Sequence, residues 1–150
     1  MTSDPPRLRV VLDTNVVLSG IFFAGVPGRV LDVWQAGRLT LVLSPSILAE
    51  YQRAGAALAA RYPDATAPLE PILALLARSS TIVDAPSLKE RIAPDPDDDK
   101  FLACALAAGV SIIVTGDKPL LSVSGWAGLE VLTPRQFLDR YLDGGAEAEQ

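Results

Sequence analysis

The sequence predicts an α/β domain, a three-layer α/β/α sandwich around a central, mainly parallel β-sheet. Three observations carry that expectation. Short, nearly all-apolar runs (LRVVL, LTLVL and VSIIV) recur along the chain, as strands buried on both faces do. Stretches with helical spacing of apolar residues lie between them, and this alternation builds a parallel sheet with helices packed on it. The chain has 150 residues, 49% of them apolar, which suits one domain with a sizeable core.

Residues 8–12 form the first strand and end in Asp13. Helical material follows from about Asn15 and is interrupted by the glycines and proline of FFAGVPG. A second helix, over residues 27 to about 36, puts Val30, Leu31 and Trp34 on one face, with Gly37 as its stop. Residues 39–43 form the second strand. Ser44 then serves as N-cap, with Pro45 at the first helical position, opening a helix that carries Leu48, Glu50 and Tyr51. The Pro- and Ala-rich segment RYPDATAPLEP, residues 61–71, is too short to separate domains and reads as a loop between helices. The next helix spans residues 69–79, and its stripe of Leu69, Ile72, Leu73 and Leu76 belongs to the core.

Residues 81–83 form a short strand. Asp95 caps a helix that has Pro96 first and Asp98 three after the cap, runs to Ala108 and stops at Gly109. Residues 110–114 are the clearest central strand. Thr133, Pro134 and Gln136 repeat the capping pattern before a last helix through Phe137, Leu138 and Tyr141. The reading is a single domain over residues 1–150, with flexible tails at about 1–7 and 144–150. MTSDPPRLRV does not read as a signal peptide, and no apolar run approaches the ~18–20 residues of a membrane span.

The chain has no histidine and one cysteine. Ser-His-Asp and Cys-His catalysis, histidine acid–base chemistry and histidine-containing zinc sites are thereby excluded. One cysteine cannot close an internal disulfide, which fits a reducing, cytoplasmic setting. If the chain is an enzyme, carboxylates and a hard metal ion must carry the chemistry. With 13 basic and 18 acidic residues the formal charge is −5, so the global field repels nucleic acid. A bound cation or a local arginine patch reverses that sign where binding occurs. Most of the four Phe, three Tyr and two Trp are expected in the core, with no stacking platform of the kind single-strand binders use.

Four acidic residues fall in telling places. Asp13 ends the first strand, and a carboxylate there is costly unless paired or metal-bound. Asp117 lies just past VSIIV, in VTGDK. In a parallel sheet both stand at the carboxyl edge, where a crevice opens as the strand order reverses. Glu50 lies in the second turn of the helix capped by Ser44, and Asp99 ends the first turn of the helix capped by Asp95. Both helix starts face the same edge. Taken singly, Glu50 reads as a solvated helix residue, DPDDDK as N-terminal capping and Asp117 as a turn residue. Together, four carboxylates in one crevice would repel one another and raise their own pKa values. A divalent cation removes that conflict, and an all-oxygen donor set favours Mg²⁺ or Mn²⁺ over zinc.

In four ordered segments the chain resembles the PIN-domain family of metal-dependent ribonucleases, especially its bacterial toxin–antitoxin toxin components. These are VVLDTNVVLSGIF (residues 10–22), SPSILAEY (44–51), DPDDDKFLACALAAGVSIIVTGDKPLL (95–121) and VLTPRQFL (131–138). By this resemblance the family's four acidic positions fall on Asp13, Glu50, Asp99 and Asp117, with Asn15 and Thr115 as polar neighbours. Asp98 adjoins the third position, and Asp97 could reach the same mouth. Where relatives continue TGDK with another acidic residue, this chain has Pro119. The implied activity is hydrolysis of RNA phosphodiesters to 5′-phosphate and 3′-hydroxyl ends, by an Mg²⁺- or Mn²⁺-dependent endoribonuclease with one or two ions. The implied partners are an RNA substrate, a cognate antitoxin and a second copy of the chain, in the cytoplasm and off the membrane. Candidate phosphate contacts are Lys100, Lys118, Arg29 and Arg53, with Arg38 and Arg61 as further basic candidates.

Two rival readings stand beside this one. A haloacid-dehalogenase-type phosphatase also opens with a strand ending in Asp, but needs D-x-D where this chain has Asp13-Thr14-Asn15. A receiver domain has no place for the helix-borne Glu50. A non-catalytic RNA- or protein-interaction module that retains the fold is the rival from another class.

Overall fold

The computed structural model describes residues 8–143; the tails expected at about 1–7 and 144–150 lie outside the described residues. The first half of the chain runs β1 (Leu8–Leu12), α1 (Thr14–Phe23), α2 (Gly25–Gln35), β2 (Leu39–Leu43), α3 (Pro45–Arg61), α4 (Leu69–Ser79) and β3 (Thr81–Ile82). After a long irregular connection come α5 (Asp99–Ala108), β4 (Ile112–Val114), α6 (Lys118–Leu121), β5 (Glu130–Leu132) and α7 (Pro134–Phe137). All strand pairings are parallel, in the order β3-β2-β1-β4-β5, and helices flank the sheet to make the expected three-layer α/β sandwich.

β1 is the middle strand because it can be buried on both faces: Val10, Val11 and Leu12 have at most 1% exposure. β2 joins one side of it, with Val10 opposite Leu41, and β4 the other, with Leu12 opposite Val114. The chain therefore leaves β1 towards one edge of the sheet and later returns to the other side of the same strand. That reversal leaves a crevice at the carboxyl ends of β1 and β4.

Local signals set the ends of the elements. The Ser44 hydroxyl accepts the Ile47 N–H at 3.3 Å, opening α3 with Pro45 at its first position. Thr133 and Gln136 complete a reciprocal capping box. Gly109 ends α5 in the left-handed conformation at φ 68°. Leu69, Leu73 and Leu76 of α4 are buried in the core, with Ile72 packed partly buried against it.

Several boundaries differ from expectation. α2 begins at Gly25, so Pro27 falls inside its first turn, where an amide has no helical partner to lose. The strands expected at 81–83 and 110–114 shrink to Thr81–Ile82 and Ile112–Val114. Pro96–Asp98 is a turn of 3₁₀ helix, and α5 starts only at Asp99. The last helix is α-helical over Pro134–Phe137 and widens to a π-helix over Leu138–Asp143, where Arg140 and Tyr141 both bond to Glu130 on β5. Among the described residues no single helix is long and apolar enough to cross a membrane; α1 and α2 reach that length only across a 97° bend.

One buried contact ties the helical layer to β1. The Tyr51 hydroxyl, on α3, donates to the Leu12 carbonyl at 2.5 Å, and the side chain is 1% exposed. Burial holds this phenol well above its usual pKa, with the nearby Asp13 charge acting in the same direction. Tyr51→Phe leaves the carbonyl without this donor at about 1–2 kcal/mol. We expect a melting temperature lower by about 2–8 °C, measured by differential scanning calorimetry.

Candidate functional site

Where β1 hands over to α1, Asp13 lies 5% exposed at the floor of a crevice of about 360 Å³. Its amide bonds to the Val114 carbonyl at 2.9 Å, which fixes the end of β1 against the end of β4. Its carboxylate accepts the Thr115 hydroxyl at 2.5 Å. Burial raises the pKa of Asp13; Thr115 and the backbone amides of Asn15 and Thr14 pull it back, and the Asp117 charge raises it again.

Thr115 itself is fully buried. While its hydroxyl donates to Asp13, the same oxygen accepts the Asp117 N–H at 3.0 Å, so one side chain positions both acidic residues. Asp117 is the N-cap of α6, its carboxylate accepting the Leu120 N–H at 3.4 Å. Lys118 follows it and is exposed.

The 95–99 segment contributes differently from expectation. Asp98, together with Asp95 and Asp97, lines the crevice beside Asp13 and Asp117, and Asp99 does not. The Asp99 carboxylate accepts the Ala93 N–H at 2.8 Å and the Ile92 N–H at 3.3 Å, holding the preceding connection against the start of α5. It faces a neighbouring cavity of about 460 Å³ that Lys89, Arg91 and Lys100 also line. The cause is the 3₁₀ turn over Pro96–Asp98, whose 3.0-residue period rotates the acidic run relative to a continuous α-helix. Asp98 is pushed up to about 7, first by desolvation, then by the Asp13 and Asp117 charges and its hydrogen bond with Asp117.

Glu50 lines the same crevice from α3. It accepts a hydrogen bond from Thr14 and is ion-paired with Lys100. Sequence reasoning missed Thr14; its place one residue after Asp13, at the first position of α1, is the signal that could have found it. Lys100, a candidate phosphate contact, is thus taken up in neutralising Glu50. Asn15 and Arg53 stand at the rim, both exposed, while Arg29, on α2, is not among the crevice-lining residues. Among the described residues no group of three or more His, Cys, Asp or Glu side chains is arranged to hold a metal ion. Each carboxylate is instead directed by protein partners of its own.

A model of the PIN domain family matches residues 9–119. An uncharacterized protein of Methanocaldococcus jannaschii, MJ1680, is 30% identical over 145 residues, covering 90% of this chain and 92% of that protein. Among solved structures, PAE2754 from Pyrobaculum aerophilum is similar at a TM-score of 0.54 and 16% identity, over 89% of this chain and 88% of its own. The PIN domain of T. brucei RRP44 gives a TM-score of 0.52 at 18% identity, over 95% of this chain and 86% of its own. At these identities the two structures share the fold.

The charge conflict at Asp98 has a consequence for stability. Folding raises this carboxyl to about 7, so the fold binds a proton that the unfolded chain releases near pH 4. Its contribution is therefore greatest at low pH and is lost as pH rises through about 7. Asp98→Asn keeps the side chain neutral throughout. Solvent screening leaves an effect of about 1 kcal/mol. With chelator present, we expect the variant to melt about 2–4 °C above the parent at pH 8, a difference that shrinks as pH falls below about 7 and is gone near pH 4.

Proposed function

Since the chain belongs to the PIN-domain family, we propose that it is a metal-dependent endoribonuclease that hydrolyses phosphodiester bonds in RNA. The observation that carries this reading is the crevice at the β1–β4 switch point, lined by Asp13, Glu50, Asp98 and Asp117. Membership also sets aside the phosphatase, whose second aspartate is Asn15 here.

The donor set is all oxygen and fits Mg²⁺ or Mn²⁺. Asp13, Asp98 and Asp117 would hold the ion, with Asp98 taking the role that the resemblance in sequence assigns to Asp99. Bound there, it would supply a water acidic enough to attack at neutral pH and positive charge for the phosphate. Around these ligands the chain's own groups have distinct work. Thr115 donates to Asp13, which aims that carboxylate and opposes the upward pull of burial on its pKa. Thr14 and Lys100 hold Glu50 in place at the crevice, ready to orient a water. Arg53 and Asn15 at the rim are placed to meet the phosphate and ribose of an entering strand. Water oxygen bonds to phosphorus and the bond to O3′ breaks, leaving 5′-phosphate and 3′-hydroxyl ends.

The resemblance in sequence extends the proposal to a toxin with a cognate antitoxin, acting in the cytoplasm as a homodimer. The lone thiol, Cys104, is buried and held up at about 11 by desolvation, which suits a structural and not a redox role.

The test is cleavage of mixed RNAs with Mn²⁺ or Mg²⁺. The wild-type chain should cut, and Asp13→Asn and Asp98→Asn should each lose at least about 100-fold. Asp99→Asn should keep most of the activity, because Asp99 supports the loop and does not face the crevice. Equal cleavage by wild type and Asp13→Asn would sink the mechanism. If the wild type neither cuts RNA nor takes up metal, the non-catalytic module stands, a reading favoured by the lack of a metal-holding arrangement among the described residues.

A further inference from the structure

We infer that Phe23, Tyr62 and Arg61 form a base-stacking platform for single-stranded RNA running out of the crevice along the groove between α1 and α3. This inference rests on the nuclease reading for its substrate, and on separate residues for its geometry.

Most aromatic residues were expected in the core, and Phe23, 60% exposed, and Tyr62, 43% exposed, are outside it, at the ends of two different helices. Their rings meet edge to face, with centroids 5.8 Å apart and planes at 87°, and Phe22 lies 6.3 Å from Phe23. The Arg61 guanidinium sits 5.9 Å from the Tyr62 ring centroid. An exposed π-face with a cation beside it is what sequence-tolerant binding of single strands uses: the ring takes a base, the cation a phosphate. Neither half alone has that meaning, since an exposed phenylalanine is ordinary on a protein surface.

The platform is connected to the crevice by the way α1 and α3 pack. Thr14 bonds to Glu50 at one end. Midway, a Cβ placed on Gly55 would lie 3.4 Å from a Leu18 methyl, and 2.9 Å from one of Leu69, which packs beneath from α4. Phe23 meets Tyr62 at the other end. The two helices therefore run side by side in the same direction, away from the carboxylates. On α1, positions 15, 19 and 22–23 fall on one face; on α3, positions 53, 57 and 60–61 do the same. The crevice end of this groove carries Asn15 and Arg53, and both line the crevice. Between Arg53 and Arg61 the exposed residues of α3 are Ala56, Ala57 and Ala60, all short. Eight helical residues separate the two arginines, about 12 Å, a span that a short stretch of strand bridges. Two cations and a ring pair at the ends of a face whose exposed residues are alanines fit a polyanion with π-faces better than an apolar protein surface.

Binding is measured on Asp13→Asn protein, so that cleavage does not intrude, with labelled single-stranded RNAs of about 4 and about 10 nucleotides. Phe23→Ala should weaken the longer RNA about 5- to 100-fold, the range of one stacked base, and leave the shorter one unchanged. Phe23→Trp should restore it. Arg61→Gln should lower the salt slope of the longer RNA by about 0.7. The same loss with an abasic oligonucleotide in parent and variant alike, or equal binding of both RNA lengths by every variant, overturns the platform. So does a Phe23→Ala effect that follows a change in oligomeric state by light scattering, which would mark the patch as a contact between copies of the chain. Absence of cleavage by the wild type with binding still dependent on Phe23 would refute the nuclease reading and leave the platform standing.

Discussion

Asp13 is 5% exposed at the carboxyl end of the central strand, and a carboxylate in that position must be met by donors or by a cation. The surrounding structure reads as the answer to that requirement. Thr115, fully buried, lends it a hydroxyl across the gap between β1 and β4, and the Asp13 backbone amide donates to the Val114 carbonyl. Tyr51, the phenol nearest to it, turns its proton to the Leu12 carbonyl. The all-parallel order puts β2 and β4 on either side of β1, so the charge sits where the sheet itself opens a crevice. The groups that satisfy Asp13 also fix the floor of the crevice.

Much of the fold was legible because its signals are local. β1, β2 and α4 have the limits that apolar runs and helical stripes imply, and Ser44 and Thr133 cap the helices they were expected to cap. β5 escaped because it is three residues long and begins with a glutamate whose partners, Arg140 and Tyr141, lie ten and eleven residues on. The register of the acidic run escaped for a related reason. DPDDDK offers three consecutive aspartates, and which one faces the crevice depends on whether the first turn is α or 3₁₀. No single-sequence propensity separates those turns, since the choice is made by the loop that Asp99 holds through Ile92 and Ala93.

The charges behave in the same way. The net −5 read from composition describes no particular surface. Lys100, close in sequence to the acidic run, is spent on Glu50, whereas Arg53 is left at the rim. Pairing in space brought together groups that sequence kept apart, as with Phe23 and Tyr62, which no periodicity could have joined.

The hydrogen bond from Thr115 to Asp13 spans 102 residues of chain. A contact of that separation closes late, after the loops it encloses have been ordered. During synthesis Asp13 and Glu50 emerge long before Asp98, Thr115 and Asp117, so the acidic crevice has no existence in a partly made chain. A truncated or stalled product would carry Asp13 and Glu50 without Asp98 and Asp117, with β1 paired to β2 but open on the side that β4 fills. The full set of carboxylates therefore comes together only once the chain has been made past Asp117.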